Sequence, residues 1–279
     1  MNRRTLLAAA IAVAGAFALA PLGLVGTAEA QTTLDKIKQR GKLIVGVKND
    51  YKPWGFLDPS GALKGMEIDM AEDVAKRLGV GIELVPVVAS NRQEFLQQGK
   101  IDLIIATMGD NPKRREAIGM IEPNYYAGGT NVLAAKKAGL KKWADLKGKK
   151  VCAIQGAYYN KRVSEQYGPD LQAFAGIPEA LNALQGGNCV AFVYDNTFIE
   201  STLAGGDAKW KDYEMPLVTE DEQPWAIAVP LPELNGPWGE FMKKVSVEWH
   251  KNGTLLALEK KWGIKQSPFL VEMNKKIKG

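Results

Sequence analysis

Three basic residues, Lys113, Arg114 and Arg115, follow Pro112 in the stretch "IIATMGDNPKRREAIG" (104–119). The apolar run ending at Met108 reads as a buried strand, and Pro112 suits the first position of a helix. All three cations therefore fall in a helix's first turn, where the partial charge is already positive and an anion is favoured instead. A guanidinium at the carboxyl end of a strand can grip a carboxylate through two parallel N–H groups. Arg114 is the candidate for that role, with Lys113 and Arg115 read as solvated surface charges. Asp195, closing the apolar run in "FVYDNT", is placed either to bind an ammonium group or to cap the helix that follows. Gly156 in "IQGAYYN" leaves backbone amides open at a helix start, which suits an anion. Tyr51, Trp54 and Phe56 in "NDYKPWGF" either wall a pocket or serve as ordinary core and turn residues. Arg92 in "ASNRQEF" is a further basic residue near a helix start.

Other chemistry lacks its parts. His250, the single histidine, lies in "VEWHKNG" on what reads as the exposed side of a late amphipathic helix, so a nucleophilic triad has no evident base. No phosphate-binding loop, dinucleotide fingerprint or zinc motif occurs, and neither a metal nor a cofactor is expected.

Alternating strands and helices must position these residues. "LIVGV" (43–47) precedes a helix over 66–78; "IELVPVV" (82–88), a helix near 91–98, "IDLIIATM" (101–108) and "TNVLAAK" (130–136) follow. A second series holds "KKVCAIQG" (149–156), a helix from about 158, "QAFAGI" (172–177), a helix over 178–185 and "VAFVYD" (190–195). "YEMPLV" (213–218) and "WAIAVP" (225–230) come next, and the remainder is helical, ending with 253–263. Such alternation predicts an α/β protein with two mostly parallel sheets covered by helices. Ligands of such sheets bind beyond the carboxyl ends of strands, which selects the turns after Met108, Ile154 and Val193.

Arg3 and Arg4, a long apolar run and Ala28-Glu29-Ala30 form the layout of a cleavable signal peptide over 1–30. The remainder would carry 34 basic against 30 acidic residues, too mild and too interspersed a charge to point to nucleic acid. No later apolar run is long enough to span a bilayer. In an exported chain the two cysteines, Cys152 and Cys189, suggest one disulfide, since neighbouring parallel strands in register would bring their Cα atoms to about 5 Å. Two buried free thiols are the alternative.

The order of "GKLIVGV", "YKPWGFLDPSGALKGMEIDMAEDVAKRLG", "LQQGKIDLIIATM", "NPKRREAI", "EPNYYAGG", "WADLKGKKVCAIQG", "CVAFVYDN" and "NGTLLALEKKWG" resembles the periplasmic solute-binding proteins of polar amino acid ABC importers. The resemblance covers about residues 34–263 and implies two α/β lobes joined by two crossover strands, near 130–136 and 223–230. Lobe one would hold 31–130 and 226–279, and lobe two 131–225. It also implies a periplasmic monomer that is no enzyme, with an amino acid as ligand and a membrane permease as partner. Arg114 would take the ligand's α-carboxylate, Asp195 its ammonium, and Tyr51 would be the pocket aromatic; beside this, Tyr158 and Trp54, read from the sequence, would favour an aromatic or planar cationic ligand. Thr107 and Gly109 would offer a hydroxyl and an amide, and Gly156, Ala157 and Tyr158 the second-lobe amides. Arg92 would either meet a side-chain carboxylate, favouring acidic or broadly polar ligands, or form a salt bridge inside lobe one. The chain departs from the family pattern at Gly109, Asn111, Ala157 and Tyr158, where hydroxyl residues are usual.

Two alternatives share the fold. A cyclohexadienyl dehydratase would need a cleft carboxylic acid of raised pKa, for which Glu122, Glu165 and Glu222 stay open. A sensor presenting the same ligand to a receptor would have the same pocket.

Overall fold

Lys42–Val47 pairs in parallel with Gly81–Pro86 on one side and Leu103–Ile105 on the other, and this trio is the heart of the first sheet. A computed structural model of the protein describes residues Gln31–Gly279, so the signal-peptide reading of 1–30 lies outside the described residues. Ala228–Val229 and Gly119–Met120 complete the sheet and run antiparallel to their neighbours. In the second sheet Lys150–Ile154 lies between the parallel strands Asp170–Phe174 and Ala191–Asp195. Tyr126–Ala135 then pairs antiparallel with Ala191–Asp195, and also with Tyr213–Glu214 and Glu220–Trp225. Each sheet thus has the expected parallel core, whereas the side built from the connecting segments is antiparallel because the chain crosses and returns there. A small antiparallel sheet, Asp50–Tyr51, Gly55–Leu57 and Leu63–Lys64, follows the first strand.

The chain crosses between the sheets twice, after Met120 and after Trp225. The first crossing lies ahead of 130–136, since Tyr126–Ala135 belongs to the second sheet over its whole length. The strand expected to reach Met108 stops at Ile105, because Thr107 has φ 45°, left-handed backbone incompatible with a ladder. Of 213–218, only Tyr213–Glu214 is strand.

Met66–Leu78 forms the expected amphipathic helix, with Met70, Ala71 and Val74 buried on one face and Gly79 closing it in the left-handed conformation. Three late helices, Pro237–Lys251, Thr254–Lys261 and Pro268–Lys278, return to the first lobe. Three indole N–H groups fasten the first two: Trp238 to Asp102 O at 3.0 Å, Trp249 to Asp73 at 2.7 Å and Trp262 to Asp69 at 2.6 Å. His250 is buried instead of exposed, its Nε2 2.8 Å from Asn124 O, because Pro268–Lys278 packs over its helix. Among the described residues no helix is long and apolar enough to cross a membrane.

Cys152 and Cys189 form a disulfide, with Cα atoms 5.6 Å apart. The strands concerned are parallel neighbours, yet Cys189 lies just before its strand, so the bridge runs diagonally and not across a register pair.

Candidate functional site

Charged groups from both lobes converge at the carboxyl ends of the parallel strands. Arg92, Thr107 and Arg114 from the first lobe and Ala157, Tyr158 and Asp195 from the second line one small cavity. Its volume is about 20 Å³. A single water needs about 10–15 Å³ of such space, so the cavity holds about one, and anything the size of an amino acid is admitted only when the lobes part.

Arg114 sits in the four-residue helix Pro112–Arg115, whose cap is Asn111, the side-chain oxygen accepting from the Arg114 backbone N–H at 3.1 Å. This explains how Asn111 serves where a hydroxyl residue is usual, since Asn caps a helix as well as Thr. The Arg114 guanidinium donates to Gly109 O at 2.8 Å within its lobe and to Gly156 O at 3.4 Å across the cleft. It also lies 6.0 Å from the Tyr158 ring centre, a cation–π distance. Burial, and then the like charge of Arg92, lower its pKa to about 9, so it stays cationic at neutral pH. Arg115, by contrast, pairs with Asp110 and Glu122 at the surface.

Asp195 begins the helix Asn196–Ala204 without capping it: its side chain makes no bond to that helix's backbone. Instead it accepts from Tyr51 Oη at 3.0 Å across the lobes. Burial pushes its carboxyl up to about 6, against the opposing pull of the Tyr51 hydrogen bond and of Arg92. Arg92 is 4 % exposed, and its Nη1 donates to Ala106 O while its Nε has no partner. Among the described residues it forms no salt bridge, so the intra-lobe pairing is not made. Burial lowers its pKa.

Thr107 holds its left-handed φ because its N–H donates to Glu67 Oε1 at 2.6 Å and to Tyr125 Oη at 3.0 Å. Glu67 is itself buried, receives the Tyr125 hydroxyl, and is pushed up to about 7 by burial. At Gly109 a Cβ would lie 3.1 Å from the Gln223 side-chain oxygen and 3.4 Å from Arg114 Nη1 and the Tyr158 ring, so a side chain fits there only when Gln223 shifts slightly. Gly156 has φ 79°, and its Cβ position falls 2.8 Å from the Ala89 carbonyl carbon of the opposite lobe.

Trp54 is not brought into the cavity. It lies behind it, fully buried, with ring centres 5.3 Å from Tyr51 and 5.7 Å from Trp225, and it faces a separate groove of about 1280 Å³. Tyr51 reaches the site only through its hydroxyl, its ring being locked among Tyr194 and Phe198. Sequence reasoning passed over Lys48, Tyr159, Tyr194 and Trp225, which also line the cavity. Lys48 follows the first strand directly, and the same strand-end rule that selected Asp195 would have found it. Among the described residues no cluster of potential metal ligands occurs.

A two-lobed α/β protein closing charged side chains over a strand-end cavity matches one family model, which covers residues 43–265. The chain belongs to the bacterial extracellular solute-binding proteins, family 3. Within that family it is similar to the ABC transporter glutamine-binding protein GlnH of Bacillus subtilis, at 30% identity over 85% of this chain and 86% of that one. It is likewise similar to the L-cystine-binding protein TcyJ of Escherichia coli K12, at 30% identity over 82% of this chain and 85% of that one. Among solved structures, a mutant of ArgBP from T. maritima superposes with a TM-score of 0.76 at 27% identity, over 83% of this chain and 99% of that one.

Proposed function

We propose that this family 3 protein captures an L-amino acid with an acidic or broadly polar side chain between its lobes in the periplasm and hands it, as a monomer, to the permease of an ABC importer. The observation that carries the reading is the convergence of Arg92, Arg114 and Asp195 on one cavity between the lobes. Asp195 takes the ammonium group and Arg114 the α-carboxylate, with backbone amides at Ala157 and Tyr158 beside it. Closing over a zwitterion buries both its charges, which is favourable only when each meets a partner.

Charge balance selects the ligand's side chain. Lys48 is matched by Asp50 at 2.8 Å, which leaves two guanidiniums against Asp195. Glu67, held near neutrality at about 7, offsets only part of the excess. Glutamate or aspartate, each carrying one net negative charge, supplies the rest, with the side-chain carboxylate on Arg92. Glu122, Glu165 and Glu222, through which acid-catalysed dehydration was open, are all exposed and none lines the cavity; Asp195, the raised acid that does, is assigned to the ammonium.

Titration calorimetry with glutamate, aspartate, glutamine, arginine and cystine tests this. An acidic amino acid should bind tightest, Arg114→Ala should abolish binding in a folded protein, and Arg92→Gln should weaken glutamate more than glutamine. Silence toward every amino acid, or unaltered affinity in Arg114→Ala, would refute the assignment.

A further inference from the structure

Asp50 joins the lobes at a point that the grip on an amino acid does not itself require. It opens the small sheet of the first lobe, two residues beyond Lys48. One carboxylate oxygen lies 2.8 Å from Lys48 Nζ; the other accepts the backbone N–H of Ile177 at 3.1 Å. Ile177 begins the nine-residue helix Ile177–Gln185 on the second lobe, and that helix receives no side-chain cap from its own N-cap, Gly176. A helix start leaves N–H groups unpaired and carries partial positive charge. Here the carboxylate that answers both comes from the opposite lobe.

We infer that Asp50 is a positioning residue, a latch that holds the lobes closed and ties closure to Lys48 on the cavity wall. The inference rests on the amino-acid-binding reading for its ligand, though not for its geometry. When the lobes part, Asp50 and the Ile177 N–H each return to water. When they close, the two meet, with the buried charge of Lys48, 1 % exposed, beside the carboxylate. Such a contact exists only in the closed form, so it shifts the population toward closure and slows ligand escape.

Spin labels on Lys113→Cys in the first lobe and Lys161→Cys in the second, both exposed, report lobe separation. The described residues contain no free cysteine to interfere. In this background Asp50→Ala should shift the ligand-free distance distribution to longer values by pulsed electron paramagnetic resonance. Glutamate dissociation by stopped flow should be about tenfold faster, with association little changed. Asp50→Asn, which keeps an acceptor for Ile177 but loses the charge facing Lys48, should fall between. Unaltered distances and dissociation in Asp50→Ala would overturn the latch, as would an effect confined to the thermal midpoint. Should the wild-type protein bind no amino acid, the binding reading fails, while the ligand-free distances still decide the latch.

Discussion

Tyr51 Oη donates to Asp195 Oδ2 at 3.0 Å and lies 2.8 Å from Thr197 Oγ1, so one first-lobe phenol ties a second-lobe strand end to the helix after it. The ring itself is locked among Trp54, Tyr194 and Phe198, and only the hydroxyl reaches the site. Tyr51→Phe keeps that packing and removes the donor. Leaving a buried acceptor unpaired costs about 1–3 kcal/mol, and about 1.4 kcal/mol is tenfold in affinity. Calorimetry should show amino-acid binding weakened by roughly tenfold or more. The unfolding midpoint without ligand should move little.

Two buried carboxyls set a pH dependence with opposite signs for folding and for binding. Burial raises Asp195 to about 6 and Glu67 to about 7. The unfolded chain releases these protons near pH 4, at about the ordinary carboxyl values. Between about pH 4 and 7 the folded form therefore holds more protons, and their contribution to stability falls as pH rises, levelling off above 7. Exposed acids such as Asp58, held low by Ser60, act the other way, so the comparison is made against a variant. Thermal midpoints across this range should decline less with rising pH in Glu67→Gln than in the wild type. In the proposed binding mode Asp195 meets the ammonium only when ionised, so affinity should weaken as pH drops through about 6.

That Arg114 and Asp195 reach the cavity was legible because strand ends and helix starts are set by local pattern, and a charged side chain at such a place stands out. The parallel cores were legible for the same reason, as runs such as "LIVGV" announce buried strands. Glu67 was not legible. An acid in a helix's first turn already suits the helix dipole, and its burial depends on Tyr125 and Thr107, which arrive from distant parts of the chain. Trp54 was misplaced because an aromatic near a strand end fits a pocket wall and a core layer equally well. What separated the two roles was the packing of Tyr51, Tyr126 and Trp225 around it. The early crossing after Met120 was hidden because Pro123, Asn124, Gly128 and Gly129 read as turn residues, which moved the expected start of the strand from Tyr126 to Thr130.

The disulfide closes a 37-residue separation within the second sheet, near the strand starts and away from the cleft. On the chain-entropy model a loop of this length stabilises by about 4 kcal/mol. Replacing Cys152 and Cys189 together by Ala should therefore lower chemical-denaturation stability by up to about that amount. Amino-acid affinity, read at a temperature where both proteins are folded, should stay within about twofold, since the strand ends that carry Asp195 and Gly156 lie at the other edge of the sheet.

Gly156 separates the strain of a left-handed residue from a clash that exists only when the lobes are closed. Its φ is 79°, and an added Cβ would meet the Ala89 carbonyl carbon and the Ser90 Cα of the facing lobe at 2.8 Å, backbone atoms that cannot swing aside. Gly187 has nearly the same φ, 76°, with nothing within 4 Å of its Cβ position. Each Gly→Ala exchange costs about 1 kcal/mol for the left-handed backbone, whether the lobes are open or closed. Only Gly156→Ala adds a penalty to closure. Both variants should therefore lose similar thermal stability without ligand, while amino-acid affinity should drop at least tenfold in Gly156→Ala and stay near wild type in Gly187→Ala. Equal affinities in the two variants would mean that the lobes close without bringing Gly156 onto Ala89.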